Sequence, residues 1–219
     1  MNSGHIANIP FLSFISTAIL LCGVGMVGSR RIGRLINLIS LQALFVATLV
    51  ALVGFAEHEW HFYLVAVFVM LLKGIAAPGI LSRVSKKIGI FEEKGMFVGR
   101  TASVVFASGF TLLAYYLASQ FAETGIPQTL LAVSLDLILL GMFIMVTRKT
   151  ALMQVSGFLL MENGVFLTAV STTLGLPLVV EMGIFLDVIV GIAIMALLSN
   201  RINDQFAGIE TTKLNSLKG

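Results

Sequence analysis

Residues 62–81 read FYLVAVFVMLLKGIAAPGIL, an apolar run interrupted near its middle by a single charged side chain, Lys73. Coiled as an α-helix at about 1.5 Å per residue, such a run spans about 30 Å, the thickness of a bilayer's hydrocarbon core. Strands of a membrane barrel would be nearer ten residues long and would alternate in polarity. The stretch is therefore a transmembrane helix with an ammonium group about 16 Å from its start. The same pattern recurs three times. Asp136 sits in TLLAVSLDLILLGMFIMV (129–146), Glu162 in VSGFLLMENGVFLTAV (155–170) and Asp187 in LVVEMGIFLDVIVGIAIMALL (178–198). A charge at the bilayer centre costs about 2.5–3.5 kcal/mol on insertion scales. A chain that meets this cost repeatedly is read first as a path for protons or cations.

Composition agrees. Of 219 residues, 58% are apolar and only 11% charged, against roughly 25% charged in a soluble domain. Apolar runs fall at Ile9–Val27, Leu35–Phe55, Phe62–Leu81, Phe97–Phe121, Gln128–Val146, Ala151–Thr173 and Leu178–Ser199. These predict an all-α, polytopic membrane bundle of about seven transmembrane helices, with no length left for a soluble catalytic domain. The start of the chain, MNSGHIANIP, lacks the basic region of a signal peptide, so the first run is read as a retained helix.

Charge placement predicts sidedness. Of the 14 Lys and Arg residues, all but Lys73 fall in or beside alternate connections: Arg30, Arg31 and Arg34; Arg83 to Arg100; Arg148 and Lys149; and the tail. The positive-inside rule places those connections in the cytoplasm, with the N-terminus outside and the C-terminus cytoplasmic. The net charge of +3 thus faces a membrane surface and predicts no nucleic-acid partner. The expected organisation is a four-helix segment (1–127), a three-helix segment (128–200) and a cytoplasmic tail (201–219).

Simple helical rise puts Lys73, Asp136, Glu162 and Asp187 all near the midplane, as a lateral row rather than a vertical pore. Each also has a structural reading as an ion pair or interhelical glue. Around Lys73, Pro78 has no N–H to offer the carbonyl of Gly74, and a broken turn there would admit oxygen ligands and water. In MENG, Asn163 must hydrogen-bond inside the bundle, while Gly157 and Gly164 give a smooth face for close helix approach. Asp136 fits a packing role as well as a transfer role. Glu181 lies nearer the outer end and reads as interfacial.

The segment Glu57-His58-Glu59-Trp60-His61 offers two imidazoles on one face, but a metal site needs further ligands and a second shell. We read His58 and His61 as interfacial, beside Trp60 and Tyr63 as membrane anchors. No P-loop, dinucleotide fingerprint, nucleophile elbow or paired cysteine is present, and no histidine lies inside a run where haem would need it. The sequence therefore predicts no catalytic residue, cofactor or metal.

The last third resembles a known family. GFLLMENGVFLTAV, followed by LDVIVGIAIMALL and a tail ending IETTKLNSLKG, is similar to subunit K of respiratory complex I and the C subunit of multisubunit sodium/proton antiporters. Their shared stretch, G-[LF]-x-x-M-x-N-[GA], is matched by Gly157, Phe158, Met161, Asn163 and Gly164. The family's functional glutamate normally falls two residues after the glycine. Here Leu159 holds that slot and Glu162 stands three residues on, on the same helical face. Asp187 matches the family's second buried glutamate. The longer form resembles component E of hydrogenase-4 and related formate hydrogenlyase-type complexes. That resemblance implies a non-catalytic subunit of an inner-membrane hetero-oligomer, lying between antiporter-like and hydrogenase-anchoring subunits and belonging to a proton path. Two other readings are a structural adaptor whose buried charges only lock helices together, and a C-type subunit of a cation/proton antiporter. A stand-alone transporter is disfavoured by the lack of evident inverted repeats.

Overall fold

A computed structural model describes residues 11–93, 97–121 and 126–173. Among these the chain is helical, and the helices follow the apolar runs closely. They are α1 (Leu12–Val27), α2 (Ile32–Glu57), α3 (His61–Ile88), α4 (Arg100–Ser119), α5 (Gln128–Thr147) and α6 (Ala151–Thr173). Five of them, α2 to α6, are long and apolar enough to cross a membrane; α1, with 16 residues, is shorter. The outward faces carry large apolar side chains such as Phe14, Leu64, Ile75, Leu112 and Val146, as helices facing lipid must. The chain is a polytopic membrane helix bundle. The seventh run, with Glu181 and Asp187, and the tail lie outside the described residues.

α3 differs most from its expected form. It runs to Ile88, seven residues past the end of the apolar run, and it is not broken at Pro78. Instead Met70–Ala76 form a π-helical stretch, after which the α-helix resumes with Pro78 in its first turn. The N–H of Ala77 reaches back five residues to the carbonyl of Leu72. A proline in the first turn needs no donor of its own, so the wider turn ahead of it absorbs the mismatch that would otherwise kink the helix. At 28 residues, α3 is about 42 Å long and outreaches a hydrocarbon core of about 30 Å. In its last turns Val84 and Ser85 stay buried while Arg83, Lys86 and Lys87 are exposed.

α5 and α6 form the tightest seam. A methyl group on Gly141 would lie 2.5 Å from the backbone nitrogen of Met161, and one on Gly164 would lie 2.7 Å from the carbonyl oxygen of Ser134. Only glycine lets these backbones come so close, the usual solution where lipid offers no hydrophobic drive between helices. Those contacts fix an antiparallel register: residue 138 lies beside 164, and 141 beside 161.

At one end of the bundle three connections meet. Ile32 N–H donates to the carbonyl of Phe91 and Glu93 N–H to that of Arg30, with Arg31 and Glu92 paired as an isolated antiparallel bridge. Phe97 N–H donates to the carbonyl of Thr147. These are the arginine- and lysine-bearing connections, gathered on one face as their charge pattern predicts.

Candidate functional site: a buried ion pair in the bundle

Lys73 and Glu162 meet. The Nζ of Lys73 lies 3.7 Å from Oε1 of Glu162, with both side chains almost wholly buried, at 5% and 2% exposure. Each comes to the meeting for a local reason. The π-helical stretch carries Lys73 at its centre and turns it inward. Gly74, next in sequence, brings that turn against α2, where an added methyl would be 3.7 Å from Ala43 Cβ. On α6 the glycine seam fixes rotation, so Glu162 faces α3 from a helix locked to α5. The ring of Phe166, one turn along α6, has its centroid 5.6 Å from the same Nζ, within cation–π range.

Asn163, beside Glu162, points the other way round the helix. Its Nδ2 donates to Oε1 of Gln42 at 3.1 Å, and Gln42 Nε2 lies 3.5 Å from the carbonyl of Ile19 on α1. Gln42 is fully buried. Polar groups thus run continuously at one level from α3 through α6 and α2 to α1. The sequence reading missed Gln42, although a glutamine in the middle of an apolar run was the available signal.

Asp136 does not join this line. It is fully buried, and the hydroxyl of Thr111 on α4 donates to its Oδ2 at 2.7 Å. On α5 it stands about 200° round from Ser134, which faces α6. On its own side Phe143 packs against Phe106 and Phe110 of α4, with centroids 5.6 Å apart in each case. The α5–α6 register sets it level with Phe166, one turn, or about 6 Å, from Glu162 along the axis. Asp136 thus stands about one turn from Glu162 in depth and faces α4, on the side of α5 away from α6.

A second buried pair had no sequence signal. Arg148 was read only as one of the charges that set sidedness, and Glu93 was not singled out. Both are buried, with Arg148 Nη1 3.2 Å from Glu93 Oε2. Arg148 Nη2 also donates to the carbonyl of Val27, at the end of α1. Glu93 Oε1 accepts from the backbone N–H groups of Lys149 (2.8 Å) and Thr150 (3.2 Å). A cation at the carboxyl end of α1 and a carboxylate at the amino end of α6 both complement the helix dipoles.

His58 and His61 lie at the turn between α2 and α3. His58 ends α2 in a left-handed conformation (φ 55°), while His61 stacks on Trp60 and lies 3.6 Å from Glu59. Both are exposed. No three metal-ligating side chains converge among the described residues.

No family model and no solved structure matches the chain. It is 27% identical to an uncharacterized protein of Mycobacterium tuberculosis over 216 residues, 97% of this chain and 98% of that one. Over 89 residues it is 36% identical to hydrogenase-4 component E of Escherichia coli, a stretch covering 41% of either chain. The same figures hold for component E of Shigella flexneri.

Proposed function

We propose that this chain is a non-catalytic membrane-arm subunit of an energy-converting, hydrogenase-type complex, and that its buried Lys73–Glu162 pair passes or gates protons within the membrane. The similarity to component E supports the setting. The observation that carries the chemistry is an ammonium and a carboxylate held 3.7 Å apart deep inside an apolar bundle. Such a pair can move a proton between its members, or hand one on, with little motion of heavy atoms. It sits in a π-helical turn, a distortion that recurs at functional sites and rarely elsewhere. A group fixed only for strength would do better as an apolar contact, since burying a charge pair seldom improves on packing.

In this reading Glu162 is the acid, Lys73 its partner, and Asp187 and Asp136 are further stations. Asp136 is reached around α5 rather than across the α5–α6 seam. The partners are antiporter-like and hydrogenase-anchoring subunits in the inner membrane.

The test is made in the assembled complex, reconstituted in vesicles. Glu162→Gln and Lys73→Met are expected to assemble normally and to lose redox-driven proton uptake. Full pumping by both assembled variants would end the proposal. Loss of assembly by each single variant, restored by joining Lys73→Met to Glu162→Leu, would instead mark the pair as an adaptor's lock.

A further inference from the structure

Ser16 is fully buried in α1, and its hydroxyl has no hydrogen-bond partner among the described residues. Every other buried serine or threonine among the described residues bonds a backbone carbonyl, six of the seven to a residue three or four earlier in the chain. That is the ordinary way a hydroxyl is satisfied in a membrane helix. Ser16 departs from it, leaving its O–H directed into the bundle.

Three further features lie within about a turn of the level of that hydroxyl in the bundle. Ser16 and Ile19 share one face of α1, a turn apart, and the carbonyl of Ile19 receives Gln42 Nε2 at 3.5 Å. A bond that long leaves the carbonyl room for a better donor. Oδ1 of Asn163 is buried and accepts no hydrogen bond among the described residues. Gly23, again on this face of α1, packs on Leu137, Leu140 and Leu160, so Ser16, seven residues earlier, stands about level with residue 167 of antiparallel α6. At that level the Thr168 hydroxyl donates to that of Ser134 at 3.0 Å across the α5–α6 seam.

Buried polar atoms without partners are normally satisfied by ordered water with two to four polar neighbours. We propose that water binds between α1, α2 and α6 against Ser16, the Ile19 carbonyl and Asn163. It joins Glu162 to the Thr168–Ser134 hydroxyls on the side away from the basic face. This rests on the reading of Glu162 as a group that exchanges protons, and gives it a route that does not use Asp136. Each water or hydroxyl takes one proton as it releases another, so no charge settles on Ser16. Gln42 is a positioning residue: it holds Asn163 so that Oδ1 faces the water.

The chain's single cysteine supplies the control. Cys22 is buried in the same helix, two turns toward the basic face. The wild-type complex and Ser16→Cys are each treated, in sealed vesicles, with a small cationic methanethiosulfonate applied to one face at a time. The expected result is modification of Ser16→Cys from the face opposite the basic one, with the wild type unmodified. An unreactive Ser16→Cys thiol, or equal reaction of wild type and variant, would overturn the proposal. Infrared spectroscopy gives an independent reading should Ser16→Cys not assemble. The carboxyl band lost in Glu162→Gln should exchange its proton for deuterium at least tenfold more slowly in Ser16→Ala, and at the wild-type rate in Ser16→Thr. Equal rates in all three would refute the route. Reactive thiol with normal pumping by Glu162→Gln keeps the water site and removes the relay; an unreactive thiol with lost pumping does the reverse.

Discussion

Replacing Arg148 by methionine removes one half of an ion pair whose other half, Glu93, stays buried among the connections of the basic face. The guanidinium spans Glu93 and the terminal carbonyl of Val27, so the substitution strands a carboxylate and uncaps α1 together. Breaking a buried pair on one side costs about 3–5 kcal/mol, since the remaining charge has neither solvent nor partner. For a chain of this size that corresponds to a fall of about 6–20 °C in Tm. The double variant Arg148→Met/Glu93→Gln tells charge from packing. A glutamine at 93 keeps a carbonyl oxygen for the N–H groups of Lys149 and Thr150, now bonded at 2.8 and 3.2 Å, and leaves no buried charge. It should recover more than half of the loss. Thermal unfolding of the purified full-length chain in detergent, followed by far-ultraviolet circular dichroism, measures all three proteins. If the single and double variants melt together, or if Arg148→Met melts like the wild type, the pair does not hold this end of the bundle.

Gly141→Ala should be among the least tolerated methyl additions in the chain, because the new carbon would stand 2.5 Å from one backbone atom of α6 and 2.6 Å from another. Its signature is lost yield and assembly, whereas Gly109→Ala, with open space around it, should express as the wild type does. Thr111→Val takes away the hydroxyl that bonds Asp136 at 2.7 Å, leaving the carboxyl without that bond at a cost of about 1–3 kcal/mol. Measured by the same melts, the loss should appear while the Lys73–Glu162 pair keeps its infrared signature. A change in that signature would mean that the two sites communicate through α5.

The helices and their common basic face were legible because the bilayer imposes both: about 20 apolar residues to cross it and arginine to stay behind. That Lys73 would meet a buried carboxylate was legible, since four ionisable groups at similar depth ask for partners, and Glu162 was one candidate among three. Pairing depends on helix rotation. A few glycines decide that rotation, and their packing partners lie at distant positions in the chain. The same ignorance of rotation left open which helix Asp136 faces; the structure turns it to Thr111 of α4. Pro78 was read as a break because the α register was assumed; the π register accommodates it. Glu93 is a different case. Nothing distinguishes Glu92 from Glu93 in a polar connection, and only the folded loop decides that one is exposed while the other is buried against Arg148.

Two kinds of buried charge therefore coexist in one small bundle, and their surroundings separate them. Glu93 is saturated: its two oxygens take a guanidinium and two backbone N–H groups, all set at helix ends whose dipoles favour the charges present. A carboxylate bound on both oxygens in this way serves as a fastener. Glu162 meets a lysine at 3.7 Å, longer than a tight charge-assisted bond of about 2.8 Å. Its neighbours are a π-helical turn, an aromatic ring and an amide turned toward α2. In the function proposed above, the pair at mid-depth carries the moving charge, while the pair at the basic face holds that end of the bundle together. Exchanging the two functions would require exchanging their hydrogen bonds, not their side chains.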